Sequence, residues 1–506
     1  MTAPGTQQET GFLPGNPVSK IARLLILLLL ILLGYWLRVH NLDAFSFWTD
    51  EGLTPERSGY AIAQILRNDI LIQGVVTTDT HPPLYYLILH LTRQLFGLSD
   101  FAFRYPSVLF GVLLIPLLYQ LGRRMGGRAV GLIAALLAAV NPLQVYYSQE
   151  ARMYSLLLLL VTGMSYVLWR AIQDTRYEIR GDSRRPTSSE ARSSLVSRIS
   201  YLVFPYLLLA ALAVYTHYTA VFIVAAQALL WAWVLWRAIR DTRYEIRGDS
   251  RRPTSSEARS RFVSRTSYFV VACLILAVLV AIPLIPYTIP RLLAGAEANY
   301  YRVAPLTMLL DVVRFFNLGL TVDHARPLAG ALNVLALGLA LLGVRQITNY
   351  ELRITNEERA PHSYLVSRIS YLIPPCFLLS WLLAVVFGLM LGSLLFKPMY
   401  QGVRHIMAGS PAYLLLIAFG LAALTRYEIR DTKYESYPLH SYLVSRISYL
   451  LLGLLLVGYG VALANLYTDP AYVKDDFRAI VRFIETRAGD RDVIVYNNAV
   501  LLPLHD

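Results

Sequence analysis

The chain reads as an all-α polytopic integral membrane protein, and three observations predict that class. Apolar residues fill 56% of its 506 positions, and charged residues only 16%. The apolar positions also gather into repeated, near-continuous runs of membrane-spanning length, which a soluble core of this size has no need for. A formal charge of +13 would point to nucleic acid in a soluble protein. Here the basic residues concentrate between apolar runs. Chain orientation and anionic membrane lipids account for the excess, and no nucleic-acid partner is expected. Cys273 and Cys376 both fall inside apolar runs and give no disulfide framework.

About eleven spans are expected, over 21–37, 106–121, 129–139, 155–169, 201–215, 220–236, 269–285, 329–342, 373–395, 411–424 and 447–463. The shorter ones must extend by about a turn to cross roughly 30 Å. Residues 1–19 are polar and the first apolar run outlasts a signal-peptide core, so 21–37 reads as a retained span rather than a leader. With the N-terminus placed in the cytoplasm, the Arg-rich segments 170–200, 237–267, 343–369 and 425–446 all fall inside, as the positive-inside rule requires. The expected location is the cell membrane, with the active site extracytoplasmic.

The run 84–96 is short and carries His90, Thr92, Arg93 and Gln94. It reads as an amphipathic helix lying on the outer surface, started by Pro82 and Pro83. Segment 52–72 reads as a similar surface helix, which makes 38–105 one long structured outer loop. The division is then a transmembrane catalytic domain over 1–464 and a small extracytoplasmic segment over 465–506, with helical periodicity over 474–487 and a strand-like run at 493–496. That segment stops abruptly and reads as truncated.

Near-identical polar units recur between the spans. Residues 169–193 return at 236–260 with one change, and 362–372 return unchanged at 440–450. Structural repeats diverge while keeping an apolar pattern. These copies instead resemble a repetitive element read through in frame, tolerated in cytoplasmic loops where insertions cost little. No active site is expected there.

The polar chemistry gathers at the outer ends of the spans. Phe47-Trp48-Thr49-Asp50-Glu51 follows the first span, Asp79-Thr80-His81-Pro82-Pro83 sits in the same loop, and Gln149-Glu150-Ala151-Arg152 follows the third. Transfer of a sugar from a lipid phosphate needs a carboxylate to take the acceptor's proton. It also needs cations or amides to hold the phosphate, and an apolar groove for the lipid, worth ~0.8 kcal/mol per buried CH₂. Asp50 is the first choice for the base, with Glu51 beside it. Glu150 is a third catalytic candidate, against the plainer reading of a helix-end charge paired with Arg152. His81, Arg152, Arg302, Lys397 and Arg404 are the phosphate-binding candidates. Asp50, Glu51, Asp79, His81 and Glu150 carry donor atoms for a divalent metal, but no ligand spacing supports one.

These stretches, with Phe103-Arg104-Tyr105-Pro106-Ser107 and Tyr147 to Tyr154, resemble the protein O-mannosyltransferase and aminoarabinose-transferase-like superfamily of membrane glycosyltransferases (glycosyltransferase family 39-like). The resemblance is clear over about residues 20–345 and looser through Gly402-Val-Arg-His to Pro411. It implies the GT-C fold, a polyprenyl-phosphate sugar donor, transfer on the extracytoplasmic face and inversion at the anomeric carbon. It also implies that the Asp50-Glu51 pair holds the base and that Glu150 is the second acidic position. His81 stands where relatives often carry a lysine, so its hold on phosphate depends on its charge state. Hexose, mannose especially, is the first choice of sugar, and the acceptor is a glycan, lipid or protein. The rival class is a secondary transporter or lipid-linked sugar flippase. That class would show midplane ionisable residues and broken helices in matching halves.

Overall fold

The computed structural model describes residues 17–48, 50–72, 75–78, 81–179, 189–248, 302–357, 372–431, 438–472, 474, 476–489 and 492. Among them, seven helices are long and apolar enough to cross a membrane, or eight if one bent pair counts as a single span. The run expected at 269–285, the strand expected at 493–496 and Asp79 lie outside the described residues. Spans expected at 201–215 and 220–236 correspond to shorter apolar helices, Leu202–Thr216 and Ala220–Val234. The protein is therefore a multi-span helical membrane protein.

Helix α1 is Pro17–Val39, and the loop after it holds α2 (Leu53–Gly59), α3 (Ile62–Arg67) and a hairpin of β1 (Asp69–Ile72) with β2 (Val75–Thr78). This corrects the single surface helix expected over 52–72. Asn68 takes a left-handed conformation at φ 62°, which ends α3 and turns the chain into β1. Helix α4 (Leu84–Phe96) begins behind Pro82-Pro83 as expected, with Tyr85, Tyr86 and Leu89 buried and Leu91, Leu95 and Phe96 exposed.

Helices α5 (Asp100–Gly126), α6 (Arg128–Val140), α7 (Pro142–Ser148), α8 (Tyr154–Ile179), α9 (Ser189–Thr216) and α10 (Ala220–Gly248) follow. After them come α11 (Pro305–Leu318), α12 (Pro327–Glu357), α13 (Ile373–Leu395), α14 (Ser410–Asp431), α15 (Pro438–Thr468) and α16 (Phe477–Arg487). Where the repeats are described they lengthen helices instead of forming loops: one carries α8 to Ile179, another α10 to Gly248. Their sequence has good helix formers and no Gly or Pro until Gly181 and Gly248.

Helix α14 runs through the middle of the bundle, packed by α6, α12, α13 and α15, and 94% of its apolar window is buried. Its closest approach is to α12. A Cβ on Gly343 would collide with the Leu416 carbonyl, and one on Gly420 with the Leu339 carbonyl. Reciprocal glycines let two helix backbones touch where lipid supplies no hydrophobic drive between helices.

The bent pair is α6 and α7, at 53°. Pro142 has no N–H for the Ala138 carbonyl, and the Asn141 side chain caps α7 by accepting from Gln144 N at 3.1 Å. Arg38, fully buried at the end of α1, donates instead to the carbonyls of Ala138 and Ala139, each at 2.9 Å. The break ends α7 at Ser148, so Glu150 and Arg152 lie against the first loop.

Candidate active site

Ser99 caps α5 by accepting from Ala102 N at 3.1 Å, and one turn later Arg104 faces the first loop. Its guanidinium donates to Glu51 Oε1 at 3.0 Å and Oε2 at 2.6 Å. It also reaches the carbonyls of Leu42, Phe45 and Ser46 at 2.9, 2.7 and 2.9 Å. Ala151 N adds a third hydrogen bond to Glu51 Oε1 at 2.5 Å. Burial alone would raise the Glu51 carboxyl, but hydrogen bonds and charge from Arg104 outweigh it and hold the group below its ordinary value. With both oxygens taken, Glu51 is a clamp that ties the loop to α5 and to the turn after α7. Within the acidic pair, this geometry disfavours Glu51 as the base.

Asp50 differs. Its side chain is 23% exposed, whereas Glu51 and Glu150 are fully buried, so it is the carboxylate of the three that an incoming molecule can reach. Arg404 pairs with its Oδ2 and is itself steadied by Gln401 Oε1 at 2.8 Å. Arg152 donates to the Asp50 backbone carbonyl at 2.8 Å and lies 3.1 Å from His81 Nε2. The His81 carbonyl receives Asn68 Nδ2 at 2.9 Å and Arg57 at 3.2 Å, which fixes the residue that precedes the two prolines.

Arg152 is the odd cation of this group. The three carboxylates each take another partner: Asp50 takes Arg404, Glu51 takes Arg104, and Glu150 takes Lys474. Arg152 is buried, has no ion pair with a carboxylate among the described residues, and keeps its Nε without a hydrogen bond. Burial alone would disfavour its charge, but Tyr86, Tyr154 and the nearby Glu150 outweigh it and hold the guanidinium above its ordinary value.

Two histidine rings lie beyond His81. The His217 ring lies 6.3 Å from that of His81 and 6.2 Å from that of His405. Thr219 N donates to His217 Nδ1 at 3.3 Å, and Gln401 N donates to His405 Nδ1 at 2.9 Å. An Nδ1 that accepts leaves the proton of the neutral ring on Nε2. Burial, then nearby cationic groups, pushes His217 well below its usual value and His405 down to about 3. Both rings are thus held neutral at physiological pH.

Glu150 does not pair with Arg152, as the plainer reading expected. Lys474, which lies before α16, reaches Glu150 Oε1 at 2.9 Å, while Oε2 is buried without a partner. Burial pushes the Glu150 carboxyl up, partly offset by Lys474.

Asp50, Glu51, His81, Glu150, Arg152 and Arg404 are therefore brought into one contact network. Arg302 and Lys397 are not: Arg302 is exposed ahead of α11, Lys397 is half-buried, and no described contact joins either to the network. Among the described residues, no group of three His, Cys, Asp or Glu side chains is arranged to hold a metal. Of the candidate ligands, Asp50, Glu51 and Glu150 each face a cation, and Asp79 lies outside the described residues. Sequence reasoning missed Arg104, His217, His405 and Lys474. The first three stood inside recognisable stretches without being assigned a role, and Lys474 carried no signal.

Residues 80–179, which hold His81, Arg104, Glu150 and Arg152, match the family model described as "Dolichyl-phosphate-mannose-protein mannosyltransferase". A Bacillus subtilis (strain 168) protein named "Putative mannosyltransferase YkcB" is 24% identical over 156 residues, 29% of this chain and 21% of that protein's length. Among solved structures, ArnT from Cupriavidus metallidurans in the apo state aligns with a TM-score of 0.53 at 12% identity, covering 96% of this chain and 84% of ArnT. The archaeal oligosaccharyltransferase AglB from Archaeoglobus fulgidus, solved with an inhibitory peptide and a dolichol-phosphate, aligns with a TM-score of 0.53 at 12% identity. That alignment covers 96% of this chain and 62% of AglB, so the chain spans under two thirds of AglB's length. The chain thus shares its fold with the solved structures of ArnT and AglB.

Proposed function

We propose that the chain is an inverting glycosyltransferase that moves a sugar from a polyprenyl-phosphate donor to an acceptor hydroxyl. The observation that carries this reading is Arg152, a buried guanidinium without a carboxylate partner among the described residues, set against the backbone of Asp50, the most exposed of the three candidate carboxylates. Its Nε is left without a partner, and a phosphodiester headgroup is an anion that a guanidinium grips well.

In this reading Asp50 accepts the proton of the acceptor hydroxyl as its oxygen attacks the anomeric carbon. The bond from that carbon to the phosphate oxygen breaks on the opposite face, which inverts the centre. The phosphate leaves as an anion and needs no acid. Arg152, with His81 beside it, stabilises the charge gathering on the phosphate, and Arg404 pairs with Asp50 and fixes its aim. Glu150, buried against Lys474, acts on the site through its charge and not by touching the acceptor. A divalent ion has no assigned role in these steps.

Eleven spans with the N-terminus in the cytoplasm place this end of the bundle outside the cell membrane, the arrangement that keeps the basic segments inside. The mannosyltransferase names of the family model and of the Bacillus relative support a hexose, mannose first, as the sugar. The dolichol-phosphate in the AglB structure supports an isoprenoid phosphate as carrier. The test is incubation of purified protein with a panel of polyprenyl-phosphate sugars and membrane extract, followed by mass spectrometry of the product. A new glycoside formed from one donor supports the reading. Release of free sugar alone, or no product from any donor, contradicts it.

A further inference from the structure

The arm between α15 and α16 returns over the first loop and is fastened there. Asp476 caps α16 by accepting from Ala479 N at 3.1 Å. Phe477 N donates to Ser46 Oγ at 2.8 Å, and Arg478 reaches the Asp43 carbonyl at 2.9 Å and Asp100 at 3.5 Å. Between these fastenings and α15 stands Lys474. Its ammonium is 2.9 Å from Glu150 Oε1, 4.4 Å from the centre of the Tyr146 ring and 5.7 Å from that of Trp48. A lysine 12% exposed, with one carboxylate and two aromatic faces around it, is a built contact and not a surface pair.

Several charged and titratable groups face Glu150. Arg152 and Lys474 favour its ionised form, and Glu51 opposes it. Arg104, Tyr147 and Tyr154 also feel its charge. Arg104 is committed to Glu51, while Arg152 turns to the Asp50 carbonyl, Tyr86 and His81. Lys474 alone makes an ion pair with Glu150 among the described residues. The second Glu150 oxygen is left without a donor. Take the ammonium away and a fully buried carboxylate faces Glu51 with no direct counter-charge, a state relieved by taking up a proton.

We propose that Lys474 is a positioning residue of the active site, through which the C-terminal arm fixes the charge and aim of Glu150 and holds Trp48 beside Asp50. This rests on the glycosyltransferase reading only for its kinetic consequence; the charge of Glu150 is measurable without it.

The experiment compares full-length wild type, Lys474→Met, Lys474→Arg and Lys474→Met/Glu150→Gln in nanodiscs. Infrared difference spectra across pH read the carboxyl directly. In Lys474→Met a protonated-carboxyl band near neutral pH is expected, and it should vanish in Lys474→Met/Glu150→Gln. In wild type and Lys474→Arg the band should emerge only at lower pH. With the donor found by the panel, the acidic limb of kcat/KM should move up by roughly one pH unit or more in Lys474→Met and return in Lys474→Arg. A Lys474→Met spectrum identical to wild type overturns the inference, as does a limb that stays in place while activity falls evenly. Absence of transfer by wild type contradicts the glycosyltransferase reading and leaves the infrared result to decide this one.

Discussion

Arg104 closes a two-point fork on Glu51 across 53 residues of chain, from Nε to Oε1 at 3.0 Å and from Nη2 to Oε2 at 2.6 Å. The same guanidinium holds three carbonyls of the first loop, so the loop's shape depends on this pair as much as on its own turns.

Glu51→Gln or Arg104→Met should therefore destabilise the protein by roughly 3–5 kcal/mol, the cost of leaving one member of a buried pair uncompensated. Thermal unfolding in detergent measures it. The pH dependence has a definite sign. The folded-state carboxyl lies below its ordinary 4.5. Its contribution is complete above that value and is lost as pH falls through the folded value. Glu51→Gln should flatten the acid side of the midpoint-against-pH curve, and an unchanged slope would contradict the clamp.

Arg152→Met should raise the donor KM by roughly 10–100-fold, the loss of one or two charge-assisted hydrogen bonds. Arg152→Lys should recover little, since a point charge does not replace a planar fork. Arg302→Ala and Lys397→Ala serve as controls and should leave the donor KM unchanged. Donor titrations in nanodiscs read all four.

Gly420→Ala should push α14 away from α12, because its methyl meets the Leu339 carbonyl. The expected cost is about 1–3 kcal/mol, seen as a lower thermal midpoint. An undisturbed midpoint would mean the two backbones do not cross so closely.

Deletion of 172–193 and 239–260 should leave transfer intact, since no described contact of the site reaches these segments. A folded but inactive deletion variant, judged by size-exclusion profile and turnover, would assign them a role.

The helical class, the helix behind Pro82-Pro83 and most of the residues around Asp50 were legible in the sequence, because apolar length and polar residues at span ends are local signals. Other features were not. The bend at Asn141-Pro142 depends on Arg38, 100 residues away from the Ala138 carbonyl it satisfies. The pairing of β1 with β2 and its register only exist once the strands meet. Lys474 reaches Glu150 across 324 residues, a pairing that no spacing rule contains. The separate duties of Asp50 and Glu51 were also hidden. Adjacent acids look alike in sequence, and only the position of Arg104 shows which is locked and which stays open.

The most direct measurement is the turnover of Asp50→Asn against its donor affinity, in one preparation, with the donor identified by the panel. The account predicts a fall in kcat of roughly 10²–10⁴-fold with donor binding and thermal midpoint close to wild type. Turnover within a few-fold of wild type would contradict it and remove Asp50 as the base.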